Sequence, residues 1–215
     1  MKIGILGSGI VGQTLAKGFL KYDYPVMVGS RDTSKLKEWQ ETEAPKAQLG
    51  SFAETARFGD MIVLAVKGTI AHLALEQAGK TNIARKIIID ATNPIAEEEP
   101  ENGVLKFFTN SNSSLMEKLQ EDFSVSRFVK AFSCVGSGFM VNPDFGGLRP
   151  TMFYCGNDES AKKEVKTILE KFGWEPKDMG LATSARAIEP LCILWCLPGF
   201  RENKWSHAFK LLQKI

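Results

Sequence analysis

Six consecutive residues near the start of the chain have the types and spacing of a phosphate-binding turn. Gly7, Ser8, Gly9, Ile10, Val11 and Gly12 form a G-x-G-x-x-G motif. In this motif the first glycine permits a sharp turn, the second lets a pyrophosphate approach the backbone, and the third lets a helix pack closely on a strand. The free amides and positive dipole end of that helix then face the phosphates. The motif therefore predicts that these six residues bind a dinucleotide.

A second group of residues indicates which dinucleotide is bound. An NAD site usually places Asp or Glu at the end of the second strand, about 20 residues beyond the glycine motif. This chain has Ser30 and Arg31 there, with Lys35 four residues later. A guanidinium matches phosphate oxygens in geometry and charge, whereas a carboxylate would repel them. We therefore predict NADP, and interpret Asp32 as a residue beyond the strand end. The alternative is that Arg31 is an ordinary surface arginine.

The elements that must position these residues can be predicted from hydrophobic patterns. Ile3–Leu6 and Val26–Val28 have the composition of buried strands, and residues 15–20 have helical spacing between them. Continuous apolar runs at 61–66 and 87–89 are typical of parallel strands covered on both faces. Alternating strand and helix patterns predict an α/β, Rossmann-like, doubly wound and mostly parallel sheet.

The predicted sheet places further residues in the site, because ligands of open α/β sheets bind outside the carboxyl ends of the strands. These additional residues are Ala65, Val66, Lys67, Asn93 and Pro94. Lys67 could bind phosphate, polarise a carbonyl or simply be solvated. Asn93 could donate to a nicotinamide carboxamide or cap the turn before Pro94.

The second half of the chain continues the strand and helix pattern. Strands are predicted at 127–132, 151–155 and 174–178, and a helix following Asp158 through 172. Two more helices are predicted at 184–196 and 205–212, separated by Pro198 and Gly199. The chain thus divides into an NADP-binding domain at 1–180 and a C-terminal helical segment at 181–215. That segment would pack on the first domain or on a dimer partner.

Composition limits the classes of function. The chain has 27 basic and 25 acidic residues, a net charge of +2, and 44% hydrophobic residues. Such a balance predicts no nucleic-acid or membrane partner, and no apolar run approaches the roughly 20 residues of a membrane span. Neither a signal peptide nor a metal-binding motif is recognised. Cys134, Cys155, Cys192 and Cys196 have no zinc or disulfide spacing, so we expect buried free thiols in a reducing cytoplasm.

Several segments together resemble one protein family, the deazaflavin-dependent NADP oxidoreductases that use coenzyme F420, which is also similar to the cytosolic domain of six-transmembrane metalloreductases. The matching segments are 2–12, 28–31 with Lys35, 88–94, 129–132, 140–143 and 185–191 with Leu194 and Trp195. The resemblance implies a Rossmann domain with a small C-terminal helical lobe, a homodimer, and hydride transfer between NADPH and a flavin-like ring. It also implies that Ser30, Arg31 and Lys35 hold the 2′-phosphate. The chain departs from the family pattern at Lys67, where many relatives carry proline, and at Ser133-Cys134, where relatives often carry Asn-Thr.

No catalytic residue can be assigned from the sequence. Hydride transfer between stacked rings depends on alignment more than on a side-chain acid or base. The expected function is hydride transfer between NADPH and a deazaflavin or flavin acceptor, a small-molecule substrate. The alternatives are a reductase of a small imine or carbonyl substrate and a non-catalytic NADP(H) sensor. His72 could contact nicotinamide or phosphate, although a surface role is favoured. The glycine-rich loop 135–140 could contact a flat ring or be a plain crossover.

Overall fold

The sheet is built from eight strands within residues 1–214, the part of the chain that the computed structural model describes. They are β1 (Ile3–Leu6), β2 (Val26–Gly29), β3 (Gln48–Gly50), β4 (Met61–Leu64), β5 (Ile87–Asp90), β6 (Arg127–Lys130), β7 (Thr151–Gly156) and β8 (Glu175–Asp178). Their order is β3-β2-β1-β4-β5-β6-β7-β8. Every neighbouring pair is parallel except β6 and β7. The strand order reverses between β1 and β4, which is where a doubly wound sheet binds its ligand. The predicted Rossmann-like α/β fold is confirmed.

Helices cover both faces of this sheet. They are α1 (Ile10–Lys21), α2 (Lys37–Glu43), α3 (Phe52–Phe58), α4 (Ala71–Ala78), α5 (Lys80–Ile83), α6 (Leu115–Asp122), α7 (Glu159–Lys171), α8 (Ala185–Ile188) and α9 (Leu191–Glu202). Side chains alternate along the strands, so one face packs against α1, α2 and α7 and the other against α3, α4, α6 and α8. The strands β1, β4 and β5 are buried along their whole length. Because both faces of these strands are buried, their sequences are continuous apolar runs and do not alternate between apolar and polar residues.

The starts of several helices follow local sequence signals. Ser51 and Glu54 form a reciprocal capping box at α3, as their spacing predicts. Asp158 caps α7 by accepting a hydrogen bond of 2.7 Å from the backbone of Ala161, which also confirms the sequence prediction. These caps depend on residues three apart, so they are visible without knowledge of the tertiary structure.

The C-terminal segment differs from the prediction. The expected helix at 184–196 is broken into α8 and α9, and α9 runs through Pro198 and Gly199 instead of ending there. The helix ends at Asn203, whose left-handed φ of 52° closes the last turn. The expected helix at 205–212 is wrong. That segment has no helical turn because it lies along β7, where Thr151 donates a hydrogen bond of 2.8 Å to the carbonyl of Phe209. Ile215, the last residue of the predicted segment, lies outside the described residues.

None of the helices within residues 1–214 has the combination of length and hydropathy that would let it cross a bilayer.

Candidate functional site

A cavity of about 570 Å³ lies at the carboxyl ends of β1, β2 and β4. It brings together most of the residues that the sequence predicts for the dinucleotide. Its lining residues are Gly7, Ser8, Gly9, Ser30, Arg31, Asp32, Lys35, Phe52, Ala65, Val66, Lys67 and Ile70.

Two glycines of the motif are required by close backbone contacts. Gly7 has a left-handed φ of 131°, and a Cβ atom there would lie 2.1 Å from the carbonyl oxygen of Ala65. A Cβ atom on Gly12 would lie 2.1 Å from the carbonyl oxygen of Gly7. Both positions therefore exclude a side chain, and this geometry agrees with the sharp turn and the close helix packing expected of the motif.

The first turn of α1 is open toward this cavity. Gly9 is the N-cap residue, and a Cβ atom built on it would meet nothing within 4 Å. The amides of Ile10, Val11 and Gly12 donate to no acceptor among residues 1–214. Three free amides at the positive end of a 12-residue helix are suited to a pyrophosphate, so the residues fit this part of a dinucleotide.

The hydroxyl of Ser30 is largely used by its own loop. It donates a hydrogen bond of 2.9 Å to the carbonyl of Asp32 and accepts one of 3.2 Å from the amide of Asp32. It also lies 3.3 Å from the hydroxyl of Ser8. The Ser30 hydroxyl therefore stabilises the turn after β2. The donors of this loop that are left to face the cavity are the side chains of Arg31 and Lys35.

Arg31 and Lys35 supply two of the three positive charges in the described lining of the first cavity, and Lys67 supplies the third. Arg31 is exposed, and its side chain makes no ion pair with any residue in the described part of the chain. The Lys35 ammonium is 4.0 Å from the Asp32 carboxylate and is itself largely solvated. Arg31, Lys35 and Lys67 against the single carboxylate of that lining, Asp32, leave a net positive charge, which suits a 2′-phosphate.

Asp32 is a cavity residue that the sequence interpretation set aside. Its carboxylate accepts hydrogen bonds of 3.0 Å and 2.6 Å from the amide and hydroxyl of Ser34. These bonds hold the pKa of the Asp32 carboxyl below its usual value. The carboxylate thus caps the turn at 33–36, and the D-x-S spacing was the sequence signal for this role. Phe52 and Ile70 are apolar wall residues that carried no comparable signal.

A second cavity, of about 580 Å³, adjoins the first. Val66 and Lys67 line both cavities. The remaining lining residues are Gly68, Thr69, Ala91, Thr92, Asn93, Ile95, Ala96 and Glu97. A ligand that extends from the first cavity past the loop after β4 would therefore enter the second cavity.

The amide nitrogen of the Asn93 side chain makes a hydrogen bond within the described part of the chain, whereas its oxygen does not. Its amide nitrogen donates a hydrogen bond of 2.7 Å to the carbonyl of Ser133, and its oxygen is buried without a partner within residues 1–214. The side chain therefore has its oxygen acceptor unpaired and the second N–H of its amide unused, so both are left for a carboxamide. Pro94 is buried behind it, and its carbonyl accepts a hydrogen bond from Phe108. The loop 135–140 lines neither cavity, because Gly136 packs against the Trp195 ring.

A buried charge cluster lies beneath the second cavity. The Lys130 ammonium is 2.8 Å from a carboxylate oxygen of Asp90 and 2.9 Å from one of Glu189, and none of the three side chains is more than 1% exposed. Lys130 also donates a hydrogen bond of 2.8 Å to the carbonyl of Thr92, a residue of the cavity wall. Burial alone would lower the pKa of Lys130, but the two carboxylates outweigh burial and raise it.

Glu189 connects this cluster to the C-terminal segment. Its two oxygens accept hydrogen bonds of 3.0 Å from the amides of Leu115 and Met116, the first residues of α6. One cation and two anions leave a net negative charge, which the positive end of α6 stabilises. Asp90, Lys130 and Glu189 belong to three different segments of the family resemblance, and the structure brings all three together.

The remaining candidates lie away from both cavities. His72 is half exposed on α4, where its ring lies 3.3 Å from Asp122, which agrees with a surface role. Burial raises the pKa values of the Cys134 and Cys155 thiols to about 12. Cys192 is also buried, whereas Cys196 is only partly buried, so the expectation of buried thiols holds for three of the four cysteines.

Fold and site together define a Rossmann-type dinucleotide-binding protein with a cavity suited to NADP. Residues 2–94 match the family described as NADP oxidoreductase, coenzyme F420-dependent. A crystal structure from Arthrobacter sp. FB24, provisionally assigned as an F420-dependent NADP reductase, is 31% identical with a TM-score of 0.92. The match covers 99% of this chain and 100% of that chain. The chain belongs to the coenzyme F420-dependent NADP oxidoreductase family and is therefore an NADP-dependent oxidoreductase.

Two further relatives show how far the similarity extends. Metalloreductase STEAP3 of Rattus norvegicus is 29% identical over 205 residues, which are 92% of this chain and 38% of the rat protein. The chain thus spans well under half the length of that relative. An imine reductase of Streptomyces aurantiacus is 14% identical with a TM-score of 0.67, covering 93% of this chain and 63% of that chain. At this level of identity the likeness shows the fold alone.

Proposed function

We propose that this chain transfers hydride between NADPH and a deazaflavin- or flavin-type acceptor. The observation that carries the proposal is the pair of adjoining cavities with Val66 and Lys67 in their common wall. The first has the free amides and cations that a phosphorylated dinucleotide needs, and the second offers space beside the expected position of the nicotinamide. When bound, NADPH supplies the hydride.

The residues of the chain would act mainly by binding and alignment. The α1 amides would hold the pyrophosphate, and Arg31 and Lys35 would hold the 2′-phosphate. Val66 and Lys67 would direct the nicotinamide half toward the second cavity. The free oxygen of Asn93 would accept a hydrogen bond from the carboxamide. No general acid or base is assigned, because hydride transfer between aligned rings needs none.

Anaerobic oxidation of NADPH tests this proposal directly. Coenzyme F420, FMN, FAD and a ferric chelate would be supplied in parallel as acceptors, with NADH as the control donor. We expect NADPH-specific turnover of the deazaflavin or of a flavin. Turnover of only the ferric chelate would favour a metal reductase. Tight NADPH binding without turnover of any of these acceptors would contradict the proposal and favour the sensor or the imine and carbonyl reductase alternative.

We propose a homodimer, a small-molecule substrate, no nucleic-acid or membrane partner, and a cytoplasmic location. The four free cysteines support a reducing compartment. Light scattering of the purified protein would measure the oligomeric state, and a monomer across the micromolar range would contradict the dimer. Cell fractionation with detection of the native chain would test the location.

A further inference from the structure

Lys67 is a cation without a partner in the wall of both cavities. Its side chain is exposed and makes no hydrogen bond or ion pair with any of residues 1–214. Several other lysines in the described part of the chain donate to a backbone carbonyl. Lys86, for example, donates hydrogen bonds of 2.7 Å to the carbonyls of Ala56 and Gly59. The free ammonium of Lys67 is therefore available to a ligand.

The phosphates of the dinucleotide already have other partners. In the proposed function the 2′-phosphate would face Arg31 and Lys35, and the pyrophosphate would face the three free amides of α1. These groups can satisfy the cofactor without Lys67. The ammonium can then serve a ligand in the second cavity, where it is the single cationic residue of the described lining.

The second cavity contains one opposing charge. Glu97 lines it and makes no ion pair within the described part of the chain. The cation and the carboxylate, which come from the loops after β4 and β5, give this cavity of about 580 Å³ two residues with opposite preferences for a charged group. That volume is within the usual range for sites that bind small molecules. A ligand with a single anionic group would gain by placing that group beside Lys67 and away from Glu97.

We propose that Lys67 determines acceptor specificity by binding an anionic group, a phosphate or carboxylate, on the side chain of the acceptor in the second cavity. The inference rests on the proposed function for the nature of the acceptor ring. It adds that the chain distinguishes acceptors with the same ring by the charge of the attached side chain. Glu97 opposes a second anionic group in the same cavity.

Equilibrium binding to the NADP⁺-loaded protein tests this inference without any turnover. FMN and riboflavin are the probes, because they share one ring system and differ by a phosphate. We expect the wild-type chain to bind FMN about tenfold more tightly, the size of one charge-assisted hydrogen bond at a partly solvated site. Lys67→Met should remove this difference by weakening FMN binding alone, and Lys67→Arg should keep most of it. Glu97→Gln should strengthen FMN binding and leave riboflavin binding unchanged.

Lys163→Met is the matched control, because Lys163 is exposed on α7 and its ammonium makes no hydrogen bond or ion pair with any described residue. It removes the same charge far from both cavities and should leave the two affinities unchanged. Equal losses for FMN and riboflavin in Lys67→Met, or no change for either, would overturn the inference. The inference would also be overturned if Lys67→Met weakened only NADP⁺ binding, or if the wild-type chain bound neither FMN nor riboflavin. The expected binding pattern, combined with no NADPH oxidation by coenzyme F420, FMN or FAD, would instead refute the proposed function and leave the contact between Lys67 and the FMN phosphate supported.

Discussion

Replacing Lys130 by methionine is the most informative perturbation of the buried charge cluster. Methionine has a similar length and fills most of the same volume, so the main effect is electrostatic. The substitution leaves the carboxylates of Asp90 and Glu189 buried without the ammonium that lies 2.8 and 2.9 Å from them. It also removes the hydrogen bond to the carbonyl of Thr92.

The expected cost is large because buried charges depend strongly on their partners. Breaking a buried ion pair by removing one partner destabilises a protein by about 3–5 kcal/mol. Each carboxylate keeps some donors, since Glu189 still accepts from two amides and Asp90 from the amide and hydroxyl of Thr92. We therefore expect Lys130→Met to lower the free energy of unfolding by about 3 kcal/mol, toward the lower end of that range. For a chain of this size the melting temperature should fall by about 6–12 °C.

Equilibrium unfolding in urea, followed by tryptophan fluorescence, measures this free energy. Lys106→Met is a suitable control, because Lys106 pairs with Glu98 on the exposed surface, and its loss should cost at most about 1 kcal/mol. The double variant Lys130→Met/Glu189→Gln should recover part of the loss, because it removes one of the two unpaired carboxylates. A Lys130→Met protein within about 0.5 kcal/mol of wild type, with an unchanged denaturant slope, would refute the role assigned to the cluster.

The cluster also has a defined dependence on pH. The folded-state pKa of Lys130 is raised. Its contribution is therefore complete below the unfolded lysine pKa of about 10.4 and is lost as pH rises through the folded-state pKa. The difference in stability between wild type and Lys130→Met should consequently not decline as pH rises from 7 to 9, and a marked decline over that window would contradict the assignment.

Three further predictions concern other parts of the molecule. Arg31→Ala should raise the KM for NADPH by about tenfold or more and change the KM for NADH little, because one charge-assisted contact to the 2′-phosphate is lost; equal increases would contradict NADP selectivity. Since burial raises the pKa values of Cys134 and Cys155 to about 12, both thiols should resist a disulfide reagent at pH 8 until the chain is unfolded, and rapid labelling of either in the native protein would count against this. The pKa of Glu117 is lowered chiefly by its hydrogen bonds from Arg186, so the pair should stabilise the fold above the unfolded pKa of about 4.3 and lose this contribution as pH falls. Glu117→Gln should therefore cost up to about 1 kcal/mol at pH 7 and less at pH 4 in urea titrations, and a cost that grows on acidification would reverse the assigned sign.

Local signals and the strand order of the sheet account for what the sequence could predict. The β1–α1–β2 unit was visible because the glycine motif lies between two short apolar runs, and the caps of α3 and α7 depend on neighbours within one turn. The position of Lys67 beside the glycine turn followed from the rule that parallel strands place their carboxyl ends at one edge.

The features that the sequence missed depend on contacts between distant residues. Residues 205–212 have a spacing of aromatic and apolar side chains that also suits a helix, and only the backbone of β7 decides that the segment is extended. The hydrogen bonds between the Ser30 hydroxyl and the backbone of Asp32 depend on the path that the loop takes after β2. The meeting of Asp90, Lys130 and Glu189 requires that β5 and β6 be neighbours and that the C-terminal segment return to α6.

The position of Glu189 has a consequence for synthesis of the chain on the ribosome. Asp90 and Lys130 emerge first and can pair with each other, but the amides at the start of α6 have no carboxylate until Glu189 has been translated. A nascent chain that ends near residue 180 therefore contains the whole sheet and still lacks an anchor for α6. Completion of the tertiary structure must wait until α8 has left the exit tunnel. Arrest peptides placed before and after residue 189 should consequently report mechanical force from folding at different chain lengths, and the larger force should appear only after Glu189 has emerged.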